Sequence, residues 1–265
     1  MKNLLILAFF ATTIFISCTK EEAQSTDEME TLMADNATAD NLFSDEYLLQ
    51  DEALAGAENL NFPPSPCLTV THDTTVTPRL ITLDYGSVNC RCRDGRFRRG
   101  IVLITYTGRP NQPGSVMTIN HSNYFVNDHQ ISGIRTFTNG TYPGTSNPAR
   151  MRTANITISF PRGGSMNRVE TDTVEFFAGF NTPNVRLDDV FLIRGMSSGS
   201  QGSFTFNRVI NTPLRREVSC QWLTSGNVTI SRSGRPSRTI DYGNGTCDNQ
   251  ATVTVNGTTR TITLP

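Results

Sequence analysis

The chain has 265 residues with 23 basic and 24 acidic side chains, a formal net charge of −1. That balance hides two halves of opposite sign, and the apolar run at the start falls short of the roughly 20 residues that a membrane-spanning helix needs. At this length the chain can bury a sizeable core.

The first 17 residues read as a signal peptide: Lys2 supplies a positive start and Leu4–Ile16 an apolar stretch of 13 residues, too short to cross a bilayer. The stretch Phe15-Ile16-Ser17-Cys18 resembles the lipobox of bacterial lipoproteins. That resemblance implies cleavage before Cys18, acylation of the cysteine (palmitate-type chains on sulfur and amine), and attachment to a membrane through lipid on Cys18. Two or three acyl chains are needed for stable anchoring. The following Lys20-Glu21-Glu22 resembles the surface-export signal of Bacteroidota lipoproteins, which implies an outer-membrane anchor with the body exposed at the cell surface.

Residues 18–66 are expected to form the lipidated cysteine and an acidic tether, and 67–265 a β-rich domain. From 19 to 62 there are twelve acids against Lys20 alone, a net of −11. Few strand formers occur, so the segment reads as solvated, with a short helix expected over Asp40–Gly56 from Leu42, Phe43, Tyr47 and Leu54. Residues 63–265 carry twelve acids, 21 arginines and no lysine, a net of +9. Arginine without lysine has two readings. One is a surface for an anionic glycan or other polyanion, densest at Arg91, Arg93, Arg96, Arg98 and Arg99 around the Asp94-Gly95 turn. The other is compositional habit together with pairing to the protein's own acidic segment. No specific nucleic-acid motif is present.

From Cys67 onward short runs rich in Thr, Val, Ile and Phe are broken by Gly, Pro, Asn and Asp. This pattern predicts strands over Leu80–Tyr85, Ile101–Tyr106, Ser115–His121, Gln130–Phe137, Ala154–Phe160, Val169–Phe177, Ser203–Ile210, Val218–Leu223, Asn227–Ser231, Ala251–Val255 and Thr258–Leu264. Turns are predicted at Asn127-Asp128, Asn139-Gly140, Asn244-Gly245 and Asn256-Gly257, the last a two-residue hairpin. The expected class is all-β, either an antiparallel meander or a two-sheet sandwich.

Arg79–Cys90 and Arg238–Cys247 echo each other: each contains Asp-Tyr-Gly, three residues, then Cys. Each has a partner cysteine upstream, which predicts disulfides Cys67–Cys90 and Cys220–Cys247 and raises the prospect of two related lobes. Cys92 is left over, or replaces Cys90 as the partner of Cys67. The blocks DYGSVNC, DGRFRRGIVLITYTG, NYFVNDHQISGIRTFTN and RTIDYGNGTCDNQATVTVNGTTRTITL resemble a group of uncharacterised Bacteroidota surface lipoproteins over most of 67–265. The resemblance implies a shared β-rich fold and carries no activity with it.

Several patterns invite a chemical reading. Gly195-Met196-Ser197-Ser198-Gly199 matches the Gly-x-Ser-x-Gly nucleophile elbow. The elbow needs a following helix and a later histidine, whereas His72, His121 and His129 all precede Ser197, so a loop is expected. Glu170 and Asp172, two apart on a strand, lie about 6.6 Å apart along the backbone, at the lower edge of an inverting glycosidase's spacing; a wet strand face is expected instead. Asp241, Asn244 and Asp248 suit a turn rather than a calcium loop. Trp222 is expected to pack beside Cys220. No metal-ligand spacing and no cofactor motif stand out. The expectation is a non-catalytic, lipid-anchored envelope protein, a binding or structural module of unknown ligand whose partner is an anionic glycan or an envelope protein; the alternatives are a polyanion or glycan binder working through the arginine-rich hairpin and a surface hydrolase.

Overall fold

The structure, a computed structural model, describes residues 19–44, 65–108, 112–182 and 185–264, with side chains of the first segment described from Met29. The signal peptide, Cys18 and the part of the expected short helix beyond Ser44 lie outside the described residues.

The body is one antiparallel sheet. Its strands are β1 (Thr69–Asp73), β2 (Arg79–Asp84), β3 (Cys90–Arg91), β4 (Phe97–Tyr106), β5 (Val116–Val126), β6 (His129–Thr141), β7 (Pro148–Ser159), β8 (Ser165–Ala178), β9 (Val190–Gln201), β10 (Phe204–Glu217), β11 (Leu223–Arg232), β12 (Arg235–Asn244), β13 (Gln250–Val255) and β14 (Thr258–Thr263). Every strand pairs with its neighbours in the chain, except that β3 is a spur on β4 and β2 pairs directly with β4. Alternation of burial follows from the period-two geometry of a strand: along β7, Arg152, Ala154, Ile156 and Ile158 are buried between more exposed neighbours.

One face is buried from Ile81 on β2 to Ala251 on β13. Thirteen strands at about 4.8 Å spacing make a sheet some 60 Å wide, far more than one helix about 10 Å across can cover. The sheet must therefore roll so that its inner face meets itself. Right-handed twist between neighbouring strands supplies the curvature. Of the two all-β architectures left open by the sequence, the meander is the one adopted.

Inside the roll lies the helix α1 (Thr19–Ser44). Its sequence is rich in Ala, Glu, Met and Leu, all good helix formers, and Glu21-Glu22 favour its positive end. This overturns two expectations. The helix begins at Thr19, well before the expected start at Asp40, and its described side chains are largely enclosed rather than solvated: Leu32, Met33, Ala37, Leu42 and Phe43 are buried, as are Asp35, Asn36, Asp40 and Asn41. The physical reason is that the arginine-lined sheet neutralises the very acids that made the segment look soluble.

The hairpin at Asn256-Gly257 forms as expected, with Val255 opposite Thr258 and φ of 47° and 79° at the two turn residues, the signature of a type I′ turn. Asn127-Asp128 makes a similar turn between β5 and β6. By contrast Asn139-Gly140 lies within β6, paired to Ala149 and Arg150 of β7, and residues 218–222 form a bend rather than a strand. Both expected disulfides are present, Cys67–Cys90 and Cys220–Cys247, with Cα–Cα distances of 6.0 and 5.7 Å. Cys92 is buried outside both bridges. The Asp-Tyr-Gly echo is structural: Gly86 N and Gly243 N each donate to the aspartate two residues back at 2.8 Å, and Tyr85 and Tyr242 are both buried. The two copies sit in a single sheet, not in separate lobes.

Candidate functional site: a buried arginine and carboxylate network

On β8 the inward positions read Met166, Arg168, Glu170, Asp172 and Val174, all buried. The face expected to be wet is the interior one. Two carboxylates on such a face need partners, because an unpaired buried charge is strongly unfavourable. Strand register supplies them. Arg152 on β7 stands opposite Asp172 and forms a two-pronged bond with it, Nε to Oδ1 at 2.6 Å and Nη2 to Oδ2. The same guanidinium lies 3.4 Å from Glu170, which also pairs with Arg168 at 2.6 Å.

The network continues into the helix. Arg168 Nη1 donates to Asp40 Oδ1 at 2.7 Å. Arg208 on β10 reaches Asp40 Oδ2 at 2.8 Å through Nη2, and the Tyr242 hydroxyl donates to the same oxygen at 2.7 Å. Asp40 thus accepts from three strands that are far apart in sequence. Asp35 pairs with Arg162 and Gln201, and Glu30 with Arg260 at the exposed edge.

The sheet also caps the helix. α1 has no basic residue in its last turn, where free carbonyls leave a partial negative charge. Arg96 directs Nη2 to Asn41 O and Arg135 directs Nη1 to Phe43 O, each at 3.5 Å. The Arg135 guanidinium also lies 4.1 Å from the centroid of the Phe43 ring, with Arg168 at 5.3 Å, within cation–π range. Asn41 Oδ1 accepts from Leu223 N at 3.2 Å.

Burial opposes ionisation of Glu170, but the Arg168 and Arg152 guanidiniums outweigh it and hold the carboxyl down at about 2. Asp172 is pushed above the usual carboxylate range by burial, with the Glu170 charge adding to it. Burial raises the Tyr242 hydroxyl well above its ordinary value, and Asp40 beside it adds to the effect.

The Gly-x-Ser-x-Gly segment is neither an elbow nor a loop. It is the inward edge of β9, with Gly195 opposite Asp172, Ser197 opposite both Glu170 and Arg208, and Gly199 opposite Arg168 and Phe206. A Cβ on Gly199 would lie 2.5 Å from Phe206 Cζ, and one on Gly195 would lie 2.4 Å from Asp172 Cβ, where φ is +149°. The glycines leave room for the close backbone of β8 at Thr171, Asp172 and Asn167 and for the Phe206 ring. Packing explains the motif.

The arginine hairpin does not converge either. Arg91 and Arg93 are exposed, Arg96 and Arg98 are buried. Arg98 forms a two-pronged pair with Asp94 at 2.8 and 2.6 Å, Arg96 donates to Gln221 O, and Arg99 pairs with Asp128 and covers the Phe125 ring. Arg91 and Arg93 are exposed and Arg99 half-buried while Arg96 and Arg98 are enclosed, so the five side chains do not share one surface. Trp222 packs partly buried against the core. Asp241, Asn244 and Asp248 each accept from a residue two positions on, as turn residues do. Among the described residues, no group of three or more His, Cys, Asp or Glu could hold a metal ion.

No protein-family model matches the chain, nor does any curated protein or solved structure.

The sequence reading missed Asp40, Arg135, Arg168 and Arg208 as site residues. A signal was present: an acid-rich segment without basic residues faces a body whose cations are all arginine, and arginine is the residue suited to buried carboxylates.

Proposed function

We propose that this is a non-catalytic envelope protein, anchored by lipid on Cys18 to the outer membrane and exposed at the surface, in which α1 couples the anchor to the body. The observation carrying this reading is the enclosure of Asp40 by Arg168, Arg208 and Tyr242. α1 begins at Thr19, directly after Cys18. Met29, buried against the body, lies about 16 Å along the helix from that cysteine. Lipid and body would then be joined by a short helical post rather than by a long solvated leash.

The non-catalytic reading is supported by the state of the tempting residues. Glu170 and Asp172 are neutralised by arginines and covered by α1, and Ser197 has no histidine within the network. The helix leaves room for about one water among these groups, a cavity of about 10 Å³ bounded by Asp40, Phe43, Arg168, Glu170 and Arg208. A substrate would have to displace α1 to reach them.

The test is metabolic labelling with an alkyne fatty acid, followed by membrane fractionation and antibody labelling of intact cells. We expect labelled, membrane-bound, surface-accessible wild type, and an unlabelled, released Cys18→Ala variant. A Cys18→Ala variant that stays membrane-bound would refute the anchor.

A further inference from the structure

The outer face of the sheet has a composition opposite to the inner one. One register row runs from Thr105 on β4 to Thr259 on β14, and every position in it is threonine except Met196 and Val209 on β9 and β10. The adjacent row, read from β6 to β10, is Ile134, Asn155, Val169, Ser198 and Asn207. A third, from Ser132 to Thr205, holds only Ser, Thr and Asn. Across β6–β10 these three rows contain no charged residue, where an ordinary surface at about 25–35% charged would place about four or five. Ile134, Val169, Met196 and Val209 are between 44 and 61% exposed. A groove of about 400 Å³ crosses this face, lined mainly by Asn167, Val169, Ser198, Ser200 and Asn207, with Arg232, whose guanidinium lies 3.6 Å from the Phe204 ring centroid, as its one charged residue.

We propose that this face binds a neutral polysaccharide. Its chemistry excludes the charged alternatives. Nucleic acid and anionic lipid surfaces are held by clusters of Lys and Arg, and here a single arginine, Arg232, lines the groove, laid over the Phe204 ring. Arg194, next to the threonine row, is tied to Glu175 at 2.7 Å. A second copy fits poorly, because two faces that both bulge outward touch along one line and fall short of the roughly 800 Å² per partner of a stable interface. A flat crystalline lattice such as ice is disfavoured by the twist of about 20–25° per strand, which carries the rows out of any plane within a few strands.

A neutral glycan meets none of these objections. Its hydroxyls both donate and accept, as the Ser and Thr hydroxyls and Asn amides do. Its ring C–H faces suit the exposed Val169, Met196 and threonine methyls. The groove has the volume of a small-ligand cleft, and the rows, whose successive positions lie about 4.8 Å apart from strand to strand, extend it for a chain rather than a single sugar.

The experiment is native affinity electrophoresis of the detergent-solubilised full-length protein in gels containing laminarin, hydroxyethyl cellulose or yeast mannan, with alginate and polymer-free gels as references. We expect mobility to fall at least about twofold in one or more neutral gels and not in alginate. Retardation should be the same from about 0.02 to about 0.2 M salt, since no ion pair is involved. The double variant Val169→Glu/Met196→Glu, two exposed positions, should bind about tenfold more weakly with its thermal midpoint unchanged. Ser198→Lys provides a second probe if that variant does not fold. Free mobility in all three neutral gels, retardation only in alginate, or full retardation of a folded charged variant would each overturn the proposal. Gel retardation reads this face whether or not Cys18 carries lipid, so its failure is distinct from failure of the anchor.

Discussion

Asp40 of the helix and Arg168 of the sheet, 128 residues apart, meet at 2.7 Å with both side chains closed to solvent. Arg208 and Tyr242 complete the same contact from other strands. Such an arrangement is sensitive to the loss of any one member, because the survivors keep their charge without its counterpart. We expect Asp40→Ala to destabilise the protein by about 3–5 kcal/mol and to expose α1 to protease. Urea unfolding and limited proteolysis with mass analysis check this; an unchanged midpoint would show that the helix is not clamped.

Glu170 gives the network its acid limit. Its carboxyl is held at about 2 in the fold, below the ordinary 4.5. A depressed carboxyl favours the folded state above the unfolded value, and that contribution fades as pH falls from about 4.5 through about 2. Comparing wild type with Glu170→Gln by thermal unfolding from pH 7 to 2 should show the gap between them narrowing in that window and nowhere above it. A gap that persists at pH 2 would contradict the assignment.

Gly199 and Ser197 separate packing from chemistry. Gly199→Ala places a methyl against the Asn167 backbone oxygen and the Phe206 ring, and we expect a loss of about 1–3 kcal/mol from overpacking. Ser197 Oγ is buried with no hydrogen-bond partner among the described residues, so Ser197→Ala should be neutral or stabilising by up to about 1 kcal/mol. A Ser197→Ala protein much less stable than wild type would point to a bond not seen here.

The disulfides close loops of similar length, with sequence separations of 23 and 27. Chain-entropy arguments give about 3 kcal/mol for each. Cys220→Ser/Cys247→Ser should lower the unfolding free energy by about that amount, and non-reducing peptide maps should link Cys67 with Cys90 rather than with Cys92. A Cys67–Cys92 peptide would require a different bridge.

Much of the sheet was legible because hairpins announce themselves locally. Asn256-Gly257 and the alternation around it need no distant partner to be read. The helix was not legible in the same way. A buried helix is ordinarily found by its apolar stripe, but here Asp35, Asn36, Asp40 and Asn41 are enclosed together with Leu32, Met33 and Phe43, so no stripe exists. β9 was hidden for a related reason. Gly195, Ser197 and Gly199 have poor strand propensity, and only the close approach of the β8 backbone, Asp172 and the Phe206 ring explains why glycine is required at 195 and 199. Pairing of arginines with the acidic segment was one of two readings of the composition, and it is the one seen at Arg162, Arg168, Arg208 and Arg260.

The strictly sequential order of the strands imposes a schedule on folding. Each hairpin can zip onto the last as the chain is made, since every pairing is with a neighbour and contact order within the sheet is low. The helix cannot join so early. Asp40 is synthesised long before Arg168, Arg208 and Tyr242, so the first segment made is the last to find its place. Its excess of negative charge then has a second use, keeping a waiting helix dissolved and apart from its own kind until the closing strands arrive.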